Sequence, residues 1–174
     1  MEEHFDVCDE RGVPTGVALP RSEVHRRGLW HRSSHLWVVN GRGEILLQRR
    51  HPGKQTDPGR WDIAVAGHLS AGQTPLEAMV REAFEELGLR LATERLVFLG
   101  ASPKQYIEPE FADREWQHAF AVVWDGDTAD LVLQPDEVVA VRWMALEDYR
   151  RVVAARDDAY VGRLEDWPAF EAWL

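Results

Sequence analysis

Glu82, Glu85 and Glu86 stand at i, i+3 and i+4, a spacing that projects all three carboxylates together if the segment is helical. Like charges so placed repel by about 0.2–0.5 kcal/mol per pair, and the neighbouring Arg81 relieves only part of this. A hard divalent cation is the natural compensator, because Mg²⁺ takes oxygen ligands and is held by carboxylates together with substrate phosphates. The plainer reading of such a cluster, taken by itself, is a solvated acidic face. Cations that could meet an anionic substrate are Arg49, Arg50 and Lys54. Arginine grips phosphate bidentately and lysine acts as a point charge. Their plain alternative is to offset surface acidity.

The carboxylates need a helix to hold them, and the sequence supplies its signals. Thr74 is placed to cap, Pro75 occupies the first helical position, and Glu77 completes a capping box. Leu76, Met79, Val80, Ala83, Phe84 and Leu87 repeat at helical spacing, so one face is expected in the core and the carboxylates opposite; Gly88 is the stop. Upstream, residues 35–39 and 44–50 flank Asn40-Gly41-Arg42-Gly43 as a hairpin. A second hairpin turns near residues 9–12, a short helix covers 22–27, and the Pro- and Gly-bearing stretch 51–60 is a long loop. Strands are expected at 61–66, 116–124 and 138–143, and further helices at 146–155 and 163–174. This order predicts an α/β sandwich with a mixed sheet.

The whole chain sets limits on what those elements can serve. Its 174 residues, 45% hydrophobic, are enough for one core and too few for two ordinary domains, so a single domain over 1–174 is expected. A net charge of −10 argues against a nucleic-acid polymer or an anionic membrane as partner. No apolar run approaches the roughly 20 residues of a membrane helix, and the N-terminal residues lack a signal-peptide pattern. Cys8 is the only cysteine, which removes internal disulfides and cysteine-based zinc sites; a cytoplasmic location is the expectation.

The string Gly67-x5-Gln73-x7-Arg81-Glu82-x-x-Glu85-Glu86-x-Gly88-Leu89 closely resembles the Nudix box, here residues 67–89. The resemblance implies a Nudix fold, an αβα sandwich whose box is loop, helix and loop. It also implies that Glu82, Glu85 and Glu86 hold Mg²⁺, with Mn²⁺ as a substitute, aided by the backbone carbonyl of Ala66. Arg81, Glu82 and Glu85 would then be catalytic, and Gly67, Gln73 and Gly88 structural. Gln73 departs from the pattern, which has glutamate there to brace the arginine; a neutral partner lacks charge assistance. The implied activity is hydrolysis of a phosphoanhydride bond in a small nucleoside or isoprenoid diphosphate, and relatives are often homodimers. A base must take the water's proton: Glu85 or one of Glu108, Glu110, Glu115 and Glu137.

Gln48-Arg49-Arg50-x3-Lys54-x3-Pro58-Gly59-x-Trp61, followed by Ala66-Gly67-His68, is similar to the isopentenyl-diphosphate isomerase branch of that superfamily. This implies that Arg50 and Lys54 grip the diphosphate, that His68 lines the site, and that His25, His31 and His68 correspond to a histidine-rich metal site. Two isomerase groups are expected to be missing: the catalytic cysteine position is Ala66, and the catalytic glutamate is matched to Gln117. Hydrolysis is therefore expected over the alternatives, an isomerase-like activity or a non-catalytic diphosphate-binding module.

Overall fold

The computed structural model describes residues 2–108 and 111–174. A two-stranded ribbon, β1 (His4–Cys8) and β2 (Pro14–Pro20), leads through α1 (Arg21–Arg27) into the main sheet. That sheet contains β3 (Trp30–Val39), β4 (Glu44–Arg50), β5 (Trp61–Ile63), β6 (Val65–His68), β7 (Val97–Glu108), β8 (Phe111–Val123) and β9 (Val138–Ala145). It is mixed: β3 and β8 run parallel, and the other pairs are antiparallel. The remaining α-helices are α2 (Pro75–Leu87), α3 (Leu146–Ala155) and α4 (Trp167–Trp173).

Strand alternation builds a core on each side of this sheet. Leu36 and Val38 of β3, with Leu46, Phe120 and Val122, meet Met79, Ala83 and Leu87 of α2. The intervening Trp37 and Val39, with Ile45, Leu47 and Ala121, meet Tyr149 of α3 and Phe170 of α4. Trp37 stacks on Phe170 with ring centroids 4.3 Å apart. Helices thus cover both faces, the expected αβα sandwich.

The sheet forks where the site lies. β3 pairs with β4 through Val39 and Ile45, and nearer its N-terminal end pairs instead with β6, from Ser33–His68 to Leu36–Val65. Along the α4-side face, apolar Trp37 and Ala119 give way to His35, Ser33 and His31 on β3 and to Gln117, Glu115 and Asp113 on β8. One continuous face therefore passes from core to chemistry.

Several boundaries differ from expectation. The strand expected at 61–66 is two strands separated at Ala64, which lets residues 65–68 leave β4 for β3. β7 has no counterpart in the sequence reading, because Gly100 and Pro103 interrupt its pattern. The last helix begins at Trp167, not residue 163; residues 164–166 form a turn, and further upstream Tyr160 bridges to Trp61. No helix among the described residues is long and apolar enough to cross a membrane.

Candidate active site

Helix α2 begins with the complete capping box of Thr74 and Glu77 and ends at Gly88, whose φ of 66° is the left-handed value that favours glycine. Its burial differs from the simple two-faced expectation. Leu76 and Phe84 are exposed, whereas Glu86 is buried beside Ala83 and Leu87. The carboxylates are therefore graded in depth. Glu85 is half-exposed at the rim, the Glu82 side chain is mostly covered, and Glu86 lies at the bottom, where Gln48 Nε2 donates to it at 3.1 Å. Gly67 permits this arrangement: a Cβ there would sit 2.6 Å from the Glu82 carboxyl carbon.

Arg81 ties the rim together, with Nη2 2.8 Å from Glu82, Nη1 2.8 Å from Glu85, and a longer 3.3 Å bond to Gln73 Oε1. Burial pushes the Glu82 carboxyl up to about 7, with Arg81 opposing, and pushes Glu86 up to about 8, with Glu82 adding repulsion. Two buried carboxylates facing each other cannot both ionise cheaply without a cation. Every donor here is oxygen, which suits Mg²⁺ or Mn²⁺. Ala66, Gly67, Arg50, Lys54 and Glu137 line the same cleft of about 250 Å³, and Lys54 forms an ion pair with Glu137. Of the remaining base candidates, the side chain of Glu108 and all of Glu110 fall outside the described residues.

A second cluster lies on the other side of β6. Ligand atoms of His25, His31, His68 and Asp113 all fall within 4.8 Å of one another, and His68 Nε2 is 2.9 Å from Glu115. His31 Nδ1 donates to the Leu29 carbonyl at 3.0 Å, and its Nε2 lies 3.3 Å from Asp113. The Nε2 atoms of His31 and His68 are buried without a hydrogen bond of good geometry. Burial pushes the His25 imidazole down to about 4, which keeps it neutral and able to ligate. Phe5 stacks against His31 and His68 with centroids 5.2 and 4.9 Å away and sets their planes. This nitrogen-and-carboxylate donor set fits a first-row transition ion.

The structure corrects one correspondence. Glu115, not Gln117, sits at the histidines, and Gln117 is the next residue along the same face, donating to Glu115 at 2.7 Å. A strand's period of two puts residues 113, 115 and 117 on one side, so Asp113 joins the cluster as well. Sequence reasoning missed Asp113 and Phe5. The alternation of 113, 115 and 117 held the first signal, once paired with a histidine strand. Phe5 had none, because its ribbon's docking cannot be read locally.

Between the two clusters and the C-terminal segment lies a cavity of about 830 Å³, lined by polar side chains such as Gln117, His35, Lys104 and Arg163 together with apolar surface from Pro58, Ala66, Tyr106 and Val161. Arg50 lines both this cavity and the acidic cleft.

Comparison with known proteins agrees with this geometry. Nudix hydrolase 3 of Arabidopsis thaliana is 41% identical over 168 residues, a match that takes in 92% of this chain but 21% of that much longer protein. An uncharacterised Nudix hydrolase of Clostridium acetobutylicum is 33% identical over 162 residues, covering 91% of this chain and 78% of the relative. An isopentenyl-diphosphate Delta-isomerase of Escherichia coli is 28% identical over 159 residues, covering 91% and 85%. The fold is also that of a crystal structure from Deinococcus radiodurans, with a TM-score of 0.64 at 21% identity over 87% of this chain and 90% of that one. The NUDIX domain family matches residues 29–164, a span that includes the whole box and most of both clusters, and the chain belongs to the Nudix family.

Proposed function

We propose that this protein hydrolyses a phosphoanhydride bond in a small organic diphosphate, using Mg²⁺ or Mn²⁺ held by Glu82, Glu85, Glu86 and the Ala66 carbonyl. The observation that carries this reading is the pair of buried carboxylates, Glu82 and Glu86, facing one cleft whose mouth holds Arg50 and Lys54. When bound, the cation neutralises phosphate oxygens and makes a water more acidic.

The chain's own groups do the rest. Arg50 and Lys54 receive the diphosphate, and Arg81 holds Glu82 and Glu85 in register. Glu85, the most exposed of the three, takes the water's proton. The organic group enters the larger cavity, whose mixed lining offers both hydrogen-bonding side chains and apolar surface. His25, His31, His68, Asp113 and Glu115 would hold a second cation beside it.

A second reading, isomerisation, draws support from Glu115 at the histidine cluster, but it still needs an acid where Ala66 stands. Titration of Mg²⁺ against a panel of nucleotide, sugar and isoprenoid diphosphates, with phosphate or monophosphate release as the readout, tests the proposal. Release that saturates with Mg²⁺ and stops in chelator is expected. Ligand binding that is equal in chelator, with no release from any compound, would instead identify a binding module.

A further inference from the structure

The stretch between α3 and α4 brings a buried arginine to the site from far along the chain. Trp61 N donates to Ala159 O and Val161 N donates to Trp61 O, both at 2.8 Å, so this stretch docks along β5 like an extra strand. Arg163 follows with φ of 36°, a left-handed value unusual for a residue with a side chain. Its guanidinium lies over the fully buried Asp62: Nε donates to Oδ1 at 2.8 Å and Nη2 to Oδ2. Nη1 is 3.2 Å from His35 Nε2, and His35 Nδ1 is 2.5 Å from Asp166. His35 therefore accepts from Arg163 and donates to Asp166, which locks the arginine from behind.

Asp62 has a second cation beside it. Arg50 Nη1 approaches Oδ2 at only 3.5 Å, while Arg50 Nε and Nη2 hold the Thr56 carbonyl at 3.2 and 3.0 Å. The better-placed guanidinium on Asp62 is thus Arg163, and Arg50 keeps Nη1 weakly engaged at the junction of cleft and cavity. A buried carboxylate deprived of one partner takes the nearest remaining cation, because an uncompensated buried charge costs more than a rotamer change. The nearest cation would be Arg50.

We propose that Arg163 is a positioning residue for the phosphate clamp: by occupying both oxygens of Asp62, it leaves Arg50 free to turn toward the substrate's diphosphate. The inference rests on Arg50 being that clamp, as argued under the proposed function. It adds that the C-terminal segment, which supplies none of the box carboxylates, sets diphosphate affinity.

The test is binding of methylenediphosphonate, a non-hydrolysable diphosphate, to the Mg²⁺-loaded full chain by calorimetry, alongside KM and kcat on the best substrate. Arg50→Met is expected to weaken binding at least tenfold, and Arg163→Met by a comparable factor while kcat stays within about threefold. The double variant Asp62→Asn/Arg163→Met removes the captor together with its guard, and should bind within about threefold of wild type. Recovery in the double variant is the signature that a merely structural role would not give. Should Arg163→Met fail to fold, the charge-neutral double variant still decides, because a tenfold or greater loss there overturns the proposal. If Arg50→Met weakens binding and Arg163→Met does not, the positioning role fails and the clamp stands. Unchanged binding in Arg50→Met removes the clamp and this inference with it.

Discussion

Replacing Glu86 by Gln is expected to move activity and metal-free stability in opposite directions. The substitution keeps size and shape and removes one charged oxygen from the floor of the cleft. Loss of a charge that stabilises the reacting phosphate costs about 10²–10³ in kcat. Stability follows from linkage. Burial holds the Glu86 carboxyl at about 8 in the fold against an ordinary 4.5, so the folded chain keeps its proton more tightly than the unfolded chain. Stability is then complete below the ordinary value and is lost as pH rises through the folded one, by up to about 4 kcal/mol near pH 8. Gln carries no such charge at any pH, and its oxygen can still accept from Gln48 Nε2. In chelator at pH 8 the variant should therefore melt about 8–16 °C above wild type, a difference that shrinks below pH 6. Scanning fluorimetry in chelator and steady-state phosphate release are the assays. A variant that melts below wild type in chelator at pH 8 would refute the electrostatic argument, and one that hydrolyses within threefold of wild type would refute the metal role.

Mg²⁺ should raise the melting temperature more at pH 8 than at pH 6, because protons on Glu82 and Glu86 compete with it at the lower pH; an equal shift at both would place the ion elsewhere. Lys54→Ala should raise KM about tenfold with kcat little changed, and if both constants are unchanged the residue is only a partner for Glu137. Gln73→Glu gives Arg81 a charged partner in place of the 3.3 Å contact to an amide, so activity at low Mg²⁺ should equal or exceed wild type; a loss with the fold intact would mean the neutral side chain serves the substrate.

What the sequence made legible was local. The capping box and the stop at Gly88 both lie within one stretch of chain, and each depends on residues a few positions apart. The hairpins and the mixed sheet were readable from alternation and turns. What escaped reading was non-local. Glu86 points inward because β4 brings Gln48 over α2, and helical periodicity alone placed it on an outer arc. Asp113 and Glu115 reach the histidines through the parallel register of β3 with β8, which pairs His31 with Glu115. A shift of two residues in that register would have put Gln117 there, the error that the sequence-based match made. Arg163 was assigned to a helix because its segment is amphipathic, yet hydrogen bonds tie residues 159 and 161 to Trp61 of β5, and Arg163 takes a left-handed φ of 36° at the turn that leads into α4.

The central claim is that the carboxylate cleft breaks a phosphoanhydride and that Ala66 leaves no group to move a double bond. Following isopentenyl diphosphate and the nucleotide and sugar diphosphates by ³¹P NMR with Mg²⁺ and wild-type protein tests both halves at once. The account predicts orthophosphate and monophosphate resonances growing from at least one compound, only while metal is present, and no dimethylallyl diphosphate from isopentenyl diphosphate. Dimethylallyl diphosphate formed at an enzymatic rate, with every anhydride left intact, would contradict it.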